Sequence, residues 1–127
     1  MTILGLGVDI VEIARLRTAI ERQGRALLNR CFTPAEQAYC DANREPERFY
    51  AARFAAKEAV AKALGTGIGA GLSWLDMEIQ RNEAGAPSVV LSGAGAETAK
   101  RLGIQSVRIT MSHSEHYAVA NAIAVGA

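Results

Sequence analysis

The chain has 127 residues, a length that suits one domain spanning 1–127, and 50% of its residues are hydrophobic, which is enough for a sizeable core. With 14 basic and 13 acidic residues the net charge is +1, so the sequence lacks the global positive charge of a nucleic-acid-binding protein. No apolar run approaches the roughly 18 residues of a membrane helix, no basic region opens the chain as in a signal peptide, and two cysteines without a CxxC pair do not suggest zinc. We therefore expect a cytoplasmic protein with neither nucleic-acid nor membrane partners.

The first third of the chain is predicted to contain one strand and two helices. The run ILGLGVD at 3–9 predicts a short buried strand that ends in the carboxylate of Asp9, and apolar residues at helical spacing predict a helix over roughly 12–23. The sequence TPAE at 33–36 is a capping box with proline at the first helical position, so a second helix should follow to about residue 41.

A long alanine-rich helix is predicted next, opened by Pro46 and ended by Gly65. Beyond it the hydrophobic period changes, because Leu75, Met77 and Ile79 alternate with polar residues as in a half-buried strand. The remaining predicted elements are a turn at 82–87, strands over 88–92, 107–113 and 117–125, and a short helix over 95–102 closed by Gly103. Helices early and strands late favour an α+β fold in which helices pack on a mainly antiparallel sheet.

Two charged residues stand out on the long helix. Glu58 and Lys62 lie one helical turn apart, on a stripe that also carries Ala51 and Ala55. One interpretation is a surface ion pair, which would contribute only about 0.3 kcal/mol. However, most of this helix is apolar, which is typical of a helix buried on most sides, and buried charges need partners. A metal bound by the glutamate and a phosphate bound by the lysine would satisfy that need.

Asp9 is the best candidate for a second metal-binding carboxylate. Magnesium prefers hard oxygen ligands and is usually held by one or two carboxylates together with substrate phosphates. The alternative is that Asp9 only caps the helix that follows it. Gly5 and Gly7 in the preceding strand permit a close backbone approach, which favours the interpretation as a site.

Two other segments carry weaker signals. The glycine-rich run that begins at Gly65 could wrap a phosphate-bearing ligand, but it lacks the lysine and serine of a P-loop. The favoured interpretation is a helix end followed by a loop, and the two interpretations are compatible. Ser112 and His113 are neighbours on a predicted strand, so their side chains point to opposite faces and do not form a catalytic dyad directly. His113 is expected to be a core or pocket-wall histidine.

Three stretches of the chain together resemble one family. They are GLGVDIVEIARL at 5–16, RFAAKEAVAKALGTGI at 53–68 and SHSEHYAVA at 112–120. These stretches resemble the holo-[acyl-carrier-protein] synthases, which are the short bacterial 4'-phosphopantetheinyl transferases. The resemblance runs nearly end to end, and the aspartate motif and the KEAxxK motif are specific when they occur together in this order.

The resemblance implies a reaction and an assembly. Members of the family transfer the phosphopantetheine arm of coenzyme A onto a serine of apo-acyl carrier protein, release adenosine 3',5'-bisphosphate, and need Mg²⁺, for which Mn²⁺ could substitute. The implied process is fatty acid biosynthesis. Members of this length are homotrimers with active sites at the subunit interfaces, so we expect the same fold and assembly here.

The resemblance also implies roles for individual residues. The assignments are Asp9 and Glu58 as metal ligands, Glu58 and Lys62 as catalytic groups, Arg53, Lys62, Gly65 and His113 as coenzyme-binding residues, and Arg15 as a contact of the carrier protein. Arg22 joins the last group because it lies seven residues after Arg15 and shares its helix face. Glu58 would activate the carrier serine directly or through a metal-bound water, and the sequence leaves both routes open. Ala86 departs from the family, whose members often carry lysine at this position.

Two other functions compete with this interpretation. A catalytically inactive homologue that only binds coenzyme A or the carrier protein would be expected to have lost part of the Asp-Glu-Lys set, which is intact here. Another magnesium-dependent nucleotide enzyme, such as a small pyrophosphohydrolase, usually needs more carboxylates clustered on helices. This chain has no such cluster in its sequence.

Overall fold

The computed structural model describes all 127 residues, and it combines five α-helices with five strands. In chain order the elements are β1 (Thr2–Glu12), α1 (Ile13–Gln23), α2 (Arg25–Cys31), α3 (Pro34–Asp41), α4 (Pro46–Leu64), β2 (Met77–Arg81), β3 (Pro87–Leu91), α5 (Gly93–Arg101), β4 (Ile104–His113) and β5 (Tyr117–Gly126). All strand pairs are antiparallel. The predicted α+β fold, with helices on an antiparallel sheet, is therefore confirmed. None of the helices combines the length and the apolar character needed to cross a bilayer.

The central helix α4 packs on a three-stranded sheet with the strand order β1-β5-β4, while β2 and β3 form a separate two-stranded sheet. The face of β5 toward α4 carries four buried alanines, which are Ala118, Ala120, Ala122 and Ala124. The helix presents its own buried alanines to the sheet. Because alanine side chains are short on both facing surfaces, the helix backbone can lie close to the sheet.

The closest approach is between α4 and β1, where two glycines replace side chains. A Cβ atom added to Gly5 would lie 1.8 Å from the carbonyl oxygen of Ala63, and one added to Gly7 would lie 1.9 Å from that of Ala59. The strand backbone therefore rests directly on the helix backbone. The close backbone approach predicted for these glycines is confirmed. The group they approach is the backbone of α4. This contact brings Asp9 to the middle of α4. The predicted strand end at Asp9 is wrong, because β1 continues to Glu12 and Asp9 lies within it.

The helix ends predicted from local signals are confirmed. In α3 the Thr33 hydroxyl accepts from the Glu36 backbone N–H at 3.2 Å, and the Thr33 N–H donates back to the Glu36 carboxylate at 2.8 Å. Helix α4 begins at Pro46 and is ended by Gly65, whose φ of 79° is left-handed and favours glycine. These signals act over three or four residues, which is why they can be read from the sequence.

Two segments differ from the prediction. Helix α2, over Arg25–Cys31, has no counterpart in the predicted elements, and Gly24 with φ 62° separates it from α1. Leu75, predicted on a strand, lies in a short 3-10 turn and is 47% exposed. The turn forms because the Asp76 carboxylate accepts hydrogen bonds from the backbone N–H groups of Ser73 and Gly95, both at 3.0 Å. The strand therefore begins only at Met77.

The predicted burial of the first strand is wrong for the single chain. One face of β1 packs on α4, but Leu6 on the opposite face is 68% exposed. Its apolar neighbours on the same side of the sheet are exposed as well: Leu4, Val8, Ile10, Val119 and Ile123. We call this surface the outer sheet face. A contiguous apolar surface of this kind is typical of an interaction surface.

Candidate active site

Asp9 and Glu58 lie together at the mouth of one surface depression. Asp9 comes from β1 and Glu58 from the middle of α4, and both line an open depression of about 280 Å³. Its other lining residues are Ile10, Val11, Glu12, Arg15 and Phe54. The two carboxylates are distant in the chain and meet because of the glycine-mediated contact between β1 and α4.

The electrostatics of the depression show that the two carboxylates interact. Burial raises the pKa of the Glu58 carboxyl, the negative charge of Asp9 raises it further, and Lys62 opposes the shift. The Lys62 ammonium does not form the alternative ion pair with Glu58. It lies 3.2 Å from the Asp9 carboxylate and donates a hydrogen bond to the Val8 carbonyl at 2.9 Å. Lys62 therefore crosses from α4 to β1 and binds one of the two carboxylates of the depression.

The donor set fits a magnesium ion that also binds a ligand. Asp9 and Glu58 supply hard carboxylate oxygens, and a divalent cation between them would offset the repulsion that raises the pKa of Glu58. No group of three or more histidine, cysteine, aspartate or glutamate side chains could hold a metal alone. Any Mg²⁺ here would complete its coordination with water and substrate oxygens, which is the usual arrangement for this ion.

Arg15 connects this depression to a second one along α1. Arg15 and Arg22 both line the second depression, of about 480 Å³, together with Thr18 and Ala19. The predicted common face of the two arginines is thus confirmed. Arg17 points elsewhere, since its guanidinium lies 3.7 Å from the Glu47 carboxylate.

His113 lies apart from the two carboxylates within one chain. Its ring packs edge-on against Phe49, with centroids 5.3 Å apart. His113 is exposed, but partial desolvation by its neighbours lowers its pKa, and the positive charges of Arg48 and Arg81 lower it further. In the sheet His113 pairs with Ala118, which pairs with Val11 on its other side, so about 10 Å of sheet separates His113 from β1.

Arg53 and Gly65 are also placed outside the depression. The Arg53 side chain is buried, with the residue only 1% exposed, and its guanidinium lies 4.2 Å from the centroid of the Tyr39 ring. Its Nη1 donates to the Phe49 carbonyl at 3.4 Å, while its Nε has no partner. A direct contact between Arg53 and coenzyme would require the side chain to leave this position. Gly65 begins an exposed loop at the end of α4.

Sequence reasoning did not identify the aromatic wall of the depression. Phe54 lines it one helical turn before Glu58, and the Phe54 ring packs on the Trp74 ring with centroids 4.7 Å apart. The spacing of Phe54 and Glu58 on one helix face was a usable signal. The contact with Trp74 was not, because it joins residues 20 positions apart across the loop after α4.

Comparison with known proteins places the site in a family. The model of the 4'-phosphopantetheinyl transferase superfamily matches residues 5–122. A holo-[acyl-carrier-protein] synthase from Desulforudis audaxviator is 54% identical over 98% of this chain and 94% of its own length. The chain belongs to the 4'-phosphopantetheinyl transferase superfamily. The resemblance to the holo-[acyl-carrier-protein] synthases and the enzyme class are thus confirmed.

Solved structures agree with this assignment. The crystal structure of holo-[acyl-carrier-protein] synthase from Neisseria meningitidis superimposes with a TM-score of 0.91 at 34% identity, covering 98% of this chain and 99% of that one. The enzyme from Helicobacter pylori, in complex with coenzyme A, gives a TM-score of 0.85 at 35% identity, covering 94% and 99%. The fold is therefore shared over nearly the whole chain, including every element that carries a candidate site residue.

Proposed function

We propose that this chain transfers the 4'-phosphopantetheine arm of coenzyme A to a serine of apo-acyl carrier protein and releases adenosine 3',5'-bisphosphate. The observation that carries the proposal is that Asp9 and Glu58 line one open depression, with the Lys62 ammonium 3.2 Å from the Asp9 carboxylate. The relatives named holo-[acyl-carrier-protein] synthase and the coenzyme A bound to one of them support the choice of substrates.

Each charged group of the depression has a task in this reaction. The serine oxygen forms a bond to the β-phosphorus while the bond from that phosphorus to the oxygen of the leaving bisphosphate breaks. Asp9 and Glu58 would hold Mg²⁺, which when bound neutralises charge on the pyrophosphate; Mn²⁺ suits the same ligands. Lys62 stabilises or protonates the leaving phosphate. Glu58 accepts the serine proton, directly or through water, because its carboxylate lines the depression at which the serine arrives.

Mass spectrometry tests the function directly. Apo-carrier protein incubated with coenzyme A, Mg²⁺ and this protein should gain the mass of one phosphopantetheine arm. Binding without any mass change would instead indicate an inactive homologue. Hydrolysis of coenzyme A without transfer would indicate a pyrophosphohydrolase.

We further propose that Arg15 and Arg22 bind the carrier protein. Carrier proteins of this pathway are expected to be acidic, and a synthase with a net charge of only +1 must attract them with a local patch. The depression along α1 carries these two arginines and leads, through Arg15, to the carboxylates of the active site. A serine presented along α1 would therefore approach Glu58.

Reversing the charge of Arg15 should weaken docking specifically. For Arg15→Glu we expect the KM for carrier protein to rise roughly tenfold, with little change in the KM for coenzyme A, because a docking charge acts on encounter with its charged partner. Added salt should weaken docking of the wild type more than docking of the variant. Steady-state kinetics at several salt concentrations measure both effects.

Arg17→Glu provides the matched control for Arg15→Glu. It makes the same charge change on the same helix, but Arg17 faces Glu47 and lies outside the depression along α1. We expect it to leave both KM values nearly unchanged. An equal rise of the two KM values in Arg15→Glu would place Arg15 in the coenzyme site and would contradict a docking role.

We also propose a homotrimer whose active sites are shared between subunits. The outer sheet face is apolar and uncovered in the single chain, as expected of a subunit interface. A small depression beside the turn between β4 and β5 is lined by Ile10 and Val119 of this face together with His113. The His113 ring lies on the α4 side of the sheet, against Phe49, so it borders this depression from the end of the sheet. The cations Arg48 and Arg81 near His113 would suit a phosphate-bearing ligand. In a trimer His113 can complete the site of a neighbouring chain.

Mixing two inactive variants tests whether the sites are shared. Chains with Asp9→Ala and chains with His113→Ala should regain part of the wild-type activity when refolded together, because some interfaces then combine an intact Asp9 with an intact His113. Each variant alone, treated identically, is the control. Sedimentation that finds a fully active monomer at the assay concentration would contradict the shared site.

A further inference from the structure

The neighbour of Glu58 in the chain, Lys57, is a charged residue that the proposed mechanism does not use. Lys57 is 0% exposed, and all three hydrogens of its ammonium have acceptors. Its Nζ lies 2.6 Å from the Glu36 carboxylate, 2.7 Å from the Cys31 carbonyl and 3.1 Å from the Trp74 carbonyl. Burial lowers the pKa of Lys57, and Glu36 opposes this shift. A buried lysine therefore joins three separate segments to α4.

Its partner Glu36 is equally buried and equally well bound. One carboxylate oxygen accepts from the Thr33 N–H at 2.8 Å as well as from Lys57, and the other accepts from the Ile79 N–H on β2 at 2.8 Å. A buried ion pair adds little net stability over apolar packing of the same shape, because both ions lose their hydration. A contribution to stability alone therefore does not explain why the pair is present. The other hydrogen bonds of Lys57 indicate what else it does.

One of those connections leads to the active site. The third hydrogen bond of Lys57 fixes the backbone of Trp74, and the Trp74 ring packs on Phe54, which lines the depression of Asp9 and Glu58. Phe54 and Glu58 lie one turn apart on α4, so the wall and the carboxylate share a helix face. A shift of the turn at Trp74–Asp76 would therefore move the wall against which the reacting groups lie.

We propose that Lys57 is a positioning residue for the transfer reaction: by holding the Trp74 carbonyl it sets the place of the Phe54–Trp74 wall relative to Glu58. The proposal rests on the transfer function proposed above. Lys57 touches neither substrate nor metal in this arrangement, although it directly precedes Glu58. Glu36 is only one of three acceptors of the lysine ammonium, and the bond that reaches the wall runs from Lys57 to the Trp74 carbonyl, so the two residues of the pair have different effects on the wall.

The only tryptophan of the chain is Trp74, so its fluorescence reports on the wall without any need for activity. Lys57→Met removes the bond to Trp74, and the double variant Lys57→Met/Glu36→Gln does so without leaving a buried unpaired carboxylate. For both we expect red-shifted Trp74 emission, increased quenching by acrylamide and a kcat roughly tenfold lower. The KM for carrier protein should change little, because Arg15 and Arg22 lie on α1.

Two controls separate positioning from loss of stability. Glu36→Gln breaks the ion pair but keeps the lysine bond to Trp74, so native emission and nearly wild-type kcat are expected even if the unfolding midpoint falls. Ile109→Ala opens a cavity on β4, in the apolar core between α4 and the three-stranded sheet, and should lower stability without changing Trp74 emission or kcat at a temperature where the protein is folded.

Several results would overturn the proposal. Native emission and wild-type kcat in the double variant would do so, and so would an equal loss of kcat in Ile109→Ala. If neither lysine variant folds, Trp74→Leu can be used instead, because Trp74 is only partly buried and its replacement removes the ring that packs on Phe54. A wild-type kcat in that variant would also contradict the proposal. Absence of arm transfer by the wild type would instead refute the proposed function, and the fluorescence comparison would still stand.

Discussion

Replacing Glu58 with glutamine is expected to remove most of the transfer activity while leaving the fold intact. Glutamine keeps the shape of the side chain but loses the charge that binds Mg²⁺ and the basicity that accepts the serine proton. We expect kcat to fall by roughly 100-fold or more, because even a group that only supports a metal ligand typically costs up to about 100-fold when removed. Asp9→Asn should have a similar effect, since Asp9 is the other carboxylate of the depression.

The measurement is the rate of carrier-protein modification over a magnesium titration, with circular dichroism to verify folding. Glu12→Gln is the matched control, because Glu12 lines the same depression at the end of β1 but has no assigned role in metal or coenzyme binding. Its rate should stay within about threefold of the wild type, as expected for an isolated charge near the surface. If Glu58→Gln kept near wild-type turnover at limiting Mg²⁺, the assignment of Glu58 to the metal would be wrong.

The parts of the structure that could be predicted from the sequence are those fixed by neighbouring residues. The capping box at Thr33 and Glu36, and the boundaries of α4 at Pro46 and Gly65, depend on hydrogen bonds and backbone angles within one turn. Asp9 and Glu58 were singled out because each is a charge in an apolar setting. Their convergence was a hypothesis based on chemistry and on family resemblance, and the fold supplies the contact between β1 and α4 that makes it possible.

The parts that could not be predicted depend on which segments meet in space. The sequence suggested Glu58 as the partner of Lys62 by helical spacing, whereas the ammonium lies beside Asp9, 53 residues away. Arg53 looks like an available cation in the sequence but is buried against Tyr39. Helix α2 has too few residues to establish a hydrophobic period, so packing rather than pattern defines it.

Adding a single methyl group at Gly7 should disturb both the fold and the active site. The new Cβ of Gly7→Ala would lie 1.9 Å from the Ala59 carbonyl oxygen, and no side-chain rotation can relieve a clash between a Cβ and a backbone atom. Strand β1 and helix α4 must therefore separate. We expect a loss of about 3 kcal/mol in the free energy of unfolding, and a melting temperature lower by roughly 10 °C.

The activity of Gly7→Ala should fall further than its stability alone explains. Gly7 lies two residues before Asp9 on the same face of β1, and Ala59 directly follows Glu58, so the displacement acts on both carboxylates.

Gly69→Ala is the matched control, because a Cβ there meets nothing within 4 Å and the backbone is not left-handed. Calorimetry at one fixed protein concentration, which avoids the concentration dependence of an oligomer, should find Gly69→Ala within about 1 kcal/mol of the wild type. A wild-type melting temperature for Gly7→Ala would mean that β1 and α4 are not in backbone contact, and the structural reason for the meeting of Asp9 and Glu58 would be lost.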